Sequence, residues 1–207
     1  MSSKPGQGRR FDLEEALDAA LRVFWQHGYD GVGVAGLARA MGISVSSLYA
    51  AFGNKQELFE ATLGYYQRRY GTFAERAFET SSSVVDFSRT ILGSAAESFT
   101  AEDLPKGCYV ISGSTSLSPE AAQLATRISR VRNENVRAIT THLRERFGGE
   151  LASAGVDAEA VSRLLSAVLQ GMSQQSIDGA GRDELRRVAQ VATRSIGALF
   201  EDAPLED

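Results

Sequence analysis

Apolar residues recur at three- and four-residue spacings from Leu13 to Phe200, and of the four prolines only Pro105 and Pro119 interrupt them, Pro5 and Pro204 lying near the ends of the chain. That period lines one face of a helix. Nowhere does a sustained alternation of apolar and polar residues mark a strand, so the pattern predicts an all-α chain. Leu13, Ala16, Leu17, Ala20, Leu21 and Phe24 form the first stripe, with Asp12, Glu14 and Glu15 in the first turn, where the helix dipole favours carboxylates. Gly28 ends it. Further stripes run through Leu58, Phe59 and Leu63, through Phe87, Ile91 and Leu92, and through Val161, Leu165 and Leu169. The last runs from Leu185 to Phe200. A long helix is expected to open at Pro119 and end near Phe147, with a loop over Gly148 to Asp157.

Two short helical segments stand out, Val34–Met41 and Val45–Phe52, joined by Gly42-Ile43-Ser44. This is the spacing of a helix-turn-helix. Gly42 supplies the left-handed backbone of the tight turn, and Ser44 is a fitting N-cap. Leu37, Ala38, Ile43, Leu48 and Phe52 are expected to pack the pair onto the first helix. The second helix is then free to enter a major groove.

The stretch from Phe11-Asp12 through Phe24-Trp25-Gln26-His27-Gly28-Tyr29, Leu37-Ala38, Met41-Gly42-Ile43-Ser44 and Ser47-Leu48-Tyr49-Ala50-Ala51-Phe52-Gly53-Asn54-Lys55 resembles the N-terminal domain of TetR/AcrR-type transcriptional regulators. Further on, Gly107-Cys108, Gln170-Gly171-Met172 and Asp178-Gly179-Ala180 look like the C-terminal domain of one branch of that family. The resemblance implies an N-terminal three-helix helix-turn-helix domain over residues 1–55. A helical ligand-binding and dimerisation domain would cover 56–207. It also implies a homodimeric, ligand-responsive repressor of a near-palindromic, double-stranded DNA operator.

By the same resemblance, Tyr49 and Lys55 match positions that hold DNA phosphates. Ser44, Val45, Ser46 and Ser47 open the recognition helix, and Ala50 lies one turn further along that face. Arg9 and Arg10 precede the first helix, where basic residues meet the backbone. Gly33 departs from the family, which commonly has Ser or Thr there as cap and phosphate contact. Val45 stands where the branch often has Arg or Lys. No Arg or Lys lies in 44–52, so bidentate guanine readout from this helix is absent. Serine hydroxyls, thymine-methyl contacts by Val45 and Ala50, and DNA shape are left to supply sequence preference.

Taken whole, the formal net charge of −4 argues against nucleic acid. Its distribution removes the objection. Residues 1–55 carry six bases and five acids, whereas the remainder carries sixteen bases and twenty-one acids. The reading head is nearly neutral, with a basic arm.

The effector pocket is expected among Phe73, Phe87, Ile91, Phe99, Cys108, Tyr109, Ile128, Leu165, Leu169, Met172 and Gln175, mostly apolar or aromatic positions suited to an unknown small apolar molecule. Cys108 keeps two readings. One is a small buried hydrophobe. The other is a thiol that senses oxidants or electrophiles, as in some relatives with a cysteine in this region, with Lys106 close enough to lower its pKa. His142 reads as a solvated residue among Arg137, Arg144 and Arg146. Trp25 and Tyr29 read as packing between the two parts of the chain.

Other classes find less support. One cysteine and two distant histidines offer no disulfide and no usual zinc set. Gly31-Val32-Gly33-Val34-Ala35-Gly36 fits the letters of a dinucleotide-binding fingerprint, but a helix, not a strand, is expected before it. No cofactor, metal site or catalytic constellation is therefore expected, and an all-α enzyme is the weaker alternative. With no apolar leader or long apolar run, a cytoplasmic protein without a membrane partner is expected.

Overall fold

The computed structural model describes residues 12–112, 118 and 121–201. Every regular element among them is helical. Arg9, Arg10 and Pro119 lie outside the described residues.

Helix α1, Leu13–His27, starts at Asp12, whose carboxylate accepts the N–H groups of Glu14 and Glu15 at 2.8 and 3.2 Å. It buries Ala16, Leu17, Ala20, Leu21, Phe24 and Trp25, the expected stripe with Trp25 added and without Leu13, which at the first turn of the helix is exposed. Helices α2, Val34–Ala40, and α3, Val45–Phe52, follow and are bent by 93° relative to each other. Gly42 sits between them at φ 68°, the left-handed region that the turn requires. Helix α4, Lys55–Arg69, is capped by Asn54, which accepts the Glu57 N–H at 2.9 Å.

A 3₁₀ turn, Gly71–Ala74, leads into the short α5, Glu75–Thr80, and then α6, Val84–Phe99. Helix α6 is the centre of the larger part. It buries Phe87, Ile91, Leu92, Ala95, Ala96 and Phe99, each large apolar side chain contributing about 1.5–3 kcal/mol. Around it lie α7, Tyr109–Ser112; α8, Ala122–Ser153; α9, Ala158–Ile177; and α10, Arg182–Glu201. Helices α9 and α10 both pack on α6, and α8 lies along α9.

The chain from Gly148 to Ser153 is not the expected loop: α8 continues through it, with one non-helical residue, Phe147, at φ −128° and ψ 21°. The kink has a packing reason. It turns the last segment so that Leu151 is buried and the Glu150 carboxylate accepts the Val84 N–H at 3.1 Å, capping α6. Two glycines in sequence suggested a break where a bend suffices.

An aromatic cluster joins the first three helices to the rest. The Trp25 ring meets Tyr66 edge-on at 5.1 Å, Phe24 meets Phe59 at 5.0 Å, and Tyr109 lies 5.3 Å from Phe59 and 5.6 Å from Tyr66. Edge-to-face pairs of this kind add about 0.5–1.5 kcal/mol each beyond area burial. Polar ties run alongside: Tyr70 donates to Asp18 at 2.6 Å, and Arg22 donates to the Asp103 carbonyl at 2.7 Å. Trp25 and Tyr29 thus pack across this junction, as their sequence context implies.

Candidate nucleic-acid interface and adjoining cavity

Helix α3 is anchored by one fully buried side chain, Leu48, with Phe52 half-buried beside it. Its opposite face is open. Ser44, Val45, Ser46, Tyr49 and Ala50 are exposed, and Ser47 is half-buried. Val45 and Tyr49, one turn apart on this face, are 40% and 47% exposed, in keeping with a surface that meets a partner.

The three serines form one cluster. Ser44 Oγ accepts the Ser47 N–H at 3.0 Å and lies 2.8 Å from both Ser46 Oγ and Ser47 Oγ. Ser44 is therefore committed first to capping α3, and it orients the other two hydroxyls.

Lys55, the first residue of α4, carries its ammonium 4.2 Å from the centre of the Tyr29 ring. Burial lowers its pKa, while the nearby Asp30 carboxylate opposes that shift. The charge is thus held over the Tyr29 ring at the start of α4, the helix that follows α3. Gly33 caps α2 with an extended backbone (φ −88°, ψ 161°) and no side-chain hydrogen bond. The GxGxxG-like run follows α1 and leads into α2, so no strand precedes it.

A cavity of about 320 Å³ opens between α4 to α9. Of the expected pocket residues, Phe73, Ile91, Phe99, Cys108 and Leu169 line it. Phe87, Tyr109, Ile128, Leu165 and Met172 do not; they are buried packing residues of the core. Gln175 is exposed on α9 and does not line it either. An apolar residue type alone cannot separate a cavity wall from core. Residues that sequence reasoning passed over include Tyr66, Gln67, Phe78, Arg132, Asn135, Ser166 and Gln170. The (i, i+3) pairing of polar Arg132 with Asn135 on α8 was the available signal.

Cys108 is buried, and Tyr66 Oη donates to its Sγ at 3.3 Å. Burial raises the thiol pKa, and the Tyr66 hydrogen bond only partly opposes this. Lys106 does not act as the expected activating cation. Its ammonium donates to the carbonyls of Thr100 and Ala101 at 3.1 and 2.9 Å. His142 is likewise not a solvated residue. Its ring packs 4.9 Å from Phe78, 5.1 Å from Phe87 and 5.8 Å from Phe147, because the kink after it folds Phe147 back over that face.

A helix-turn-helix with an open second helix, placed at the start of an all-helical chain, defines a DNA-binding transcriptional regulator. Residues 16–62 match the model of the bacterial regulatory proteins of the tetR family. The chain is 32% identical to the HTH-type transcriptional repressor ComR of Escherichia coli (strain K12) over 190 residues, 91% of this chain and 90% of that protein. It is 28% identical to the repressor BdcR of the same strain, over 97% of each chain. Among solved structures, a cysteine mutant of the TetR family regulator CifR, complexed with 26-bp operator DNA, superposes with a TM-score of 0.86 at 31% identity, covering 91% of this chain and 99% of that one. The chain belongs to the TetR family of transcriptional regulators.

Proposed function

We propose that this regulator is a homodimeric repressor that leaves a near-palindromic operator when a small molecule occupies the cavity beneath α6. One observation carries the reading. Helix α4 begins at Lys55, beside the open face of α3, and its last turns supply Tyr66 and Gln67 to the cavity wall. A ligand that fits the cavity better when α4 is displaced shifts the protein toward the form that cannot hold DNA. The coupling equals that difference in affinity.

Residues 1–55 form the reading head in this account, and 56–207 the sensing and pairing part. Ser46, Ser47, Val45 and Ala50 face base edges. Tyr49, Lys55, Arg9 and Arg10 hold phosphates, while Ser44 and Gly33 cap the two short helices. Pairing is supported by exposed apolar side chains on α9 and α10: Leu164, Val191 and Leu199. Two such helix pairs would close a four-helix interface, placing recognition helices about 34–36 Å apart. Such a protein acts on chromosomal DNA in the cytoplasm, and no catalytic role is proposed for it.

A second reading assigns Cys108 to sensing oxidants or electrophiles. It is supported by the position of Sγ at the cavity wall, where a small electrophile entering the chamber reaches it. The raised thiol pKa weighs against it, since the thiolate is the reactive form.

Gel retardation of the DNA upstream of the gene, with sedimentation of the free protein, tests the main reading. A dimer that retards one site and releases it on ligand addition supports it. No retardation at low salt contradicts it.

A further inference from the structure

Beside the cavity, two facing helix stripes of the same spacing form a groove. Helix α8 presents Ser129, Arg132, Asn133 and Val136, and α9 presents Arg163, Ser166, Ala167 and Gln170. Each set falls at i, i+3, i+4 and i+7, one face of a helix. Together they line a vestibule that contains, among the described residues, two guanidinium groups and no carboxylate. Arg132, Ser166 and Gln170 also line the inner cavity, so vestibule and cavity adjoin across these three side chains. The inner walls are Phe73, Phe78, Ile91, Phe99 and Leu169.

Both guanidinium groups have partners within the protein. Arg163 is bound to Glu159, one turn away, at 2.7 and 2.9 Å, which offsets part of its charge. Arg132 reaches Ser129 Oγ at 3.5 Å, and its five N–H donors let it serve more than one partner. Among the described residues, the one carboxylate lining the inner cavity is Glu75, exposed at the start of α5, on an element that does not line the vestibule.

We infer that the effector is an amphipathic carboxylate: its apolar tail fills the phenylalanine-lined chamber and its anionic head lies in the α8–α9 vestibule against Arg132, with Arg163 adding longer-range attraction. A planar guanidinium binds a carboxylate through two parallel hydrogen bonds, and Ser166, Asn133 and Gln170 supply further donors. A cavity of about 320 Å³ is at the small end of ligand sites, which limits the tail to a short chain or a single ring. This inference rests on the reading that an effector occupies the cavity.

The test uses the full-length protein and two probe pairs, octanoate with octanamide and 4-phenylbutyrate with 4-phenylbutyramide, plus 4-phenylbutylamine. Binding is read by calorimetry and by operator release. At least one carboxylate is expected to bind tenfold or more tightly than its amide. Arg132→Gln should shrink that ratio below threefold, and Arg163→Gln should reduce it less. Arg163 is surface-exposed, so its variant tests the charge even if the Arg132 variant folds poorly. An amide or the amine binding as tightly as the carboxylate overturns the inference, as does discrimination that survives both substitutions. No binding of either carboxylate, with operator binding intact, overturns it and leaves DNA recognition standing. Loss of operator binding by the wild-type protein marks failure of the underlying reading instead.

Discussion

The Thr62 hydroxyl lies 2.9 Å from the Tyr109 hydroxyl, both fully enclosed, and this pair ties α4 to α7. Thr62 Oγ1 also donates to the Phe59 carbonyl at 2.7 Å, so it accepts from Tyr109. The tie fixes α7, which lines the cavity through Val110 and Ile111, to the helix that leads back to the reading head. Tyr109→Phe removes the donor and is expected to cost about 1 kcal/mol. Thr62→Val strands the buried Tyr109 O–H and is expected to cost more, about 1–3 kcal/mol. Urea midpoints of the two variants check the order. Equal stability of both variants and the wild type would show that the pair contributes nothing.

Gly33 is replaceable. Its backbone is extended, and a Cβ added there meets nothing within 4 Å. Gly33→Ser should stabilise the protein by a few tenths of a kcal/mol as a helix cap. It should also tighten operator binding by restoring a phosphate contact. Paired melting curves and gel shifts decide, and weaker DNA binding would remove α2 from the interface.

His142 makes stability depend on pH. Burial lowers its pKa below the usual histidine value, aided by the Arg146 cation and opposed by Glu145. The unfolded chain therefore binds more protons across the interval between the two pKa values. The stabilisation is fully present above the ordinary histidine pKa and is lost as pH falls through the lowered one. His142→Phe should flatten this slope in urea melts taken from neutral pH to pH 5. An unchanged slope would place the titration elsewhere.

Cys108 should be a slow thiol. Its pKa is raised by burial, so at neutral pH it is protonated and alkylates more slowly than a free cysteine. By linkage, its contribution to stability is present below the unfolded thiol pKa and lost as pH rises through the raised one. Maleimide trapping followed by mass spectrometry gives the rate. Modification as fast as a free thiol would favour the sensor reading.

Much of this arrangement was legible in the residues. The ends of α3 were readable because Ser44 and Gly53 are strong local signals that packing did not override. The stripe on α1 was readable because an amphipathic surface helix writes its buried face as a period. The continuation of α8 past Phe147 was not. Local glycines argued for a break, and the deciding contact, Glu150 on the Val84 N–H, spans 66 residues. The cavity was half readable for the same reason. Phe73 and Phe87 are alike in sequence, yet only the packing of the 3₁₀ turn and α5 against α6 decides which of them faces open space. His142 was misplaced because its neighbours in sequence are arginines, while its neighbours in space are Phe78, Phe87 and Phe147.

Recognition of DNA through the open face of α3 is the centre of the account, and fluorescence anisotropy on labelled upstream DNA measures it most directly. The wild-type protein should bind one site, with affinity falling log-linearly as salt rises. Tyr49→Ala and Lys55→Gln should each weaken binding at least tenfold, and Lys55→Gln should also reduce the salt slope by about one. Binding that is unaffected by both substitutions, or absent at low salt, would contradict it.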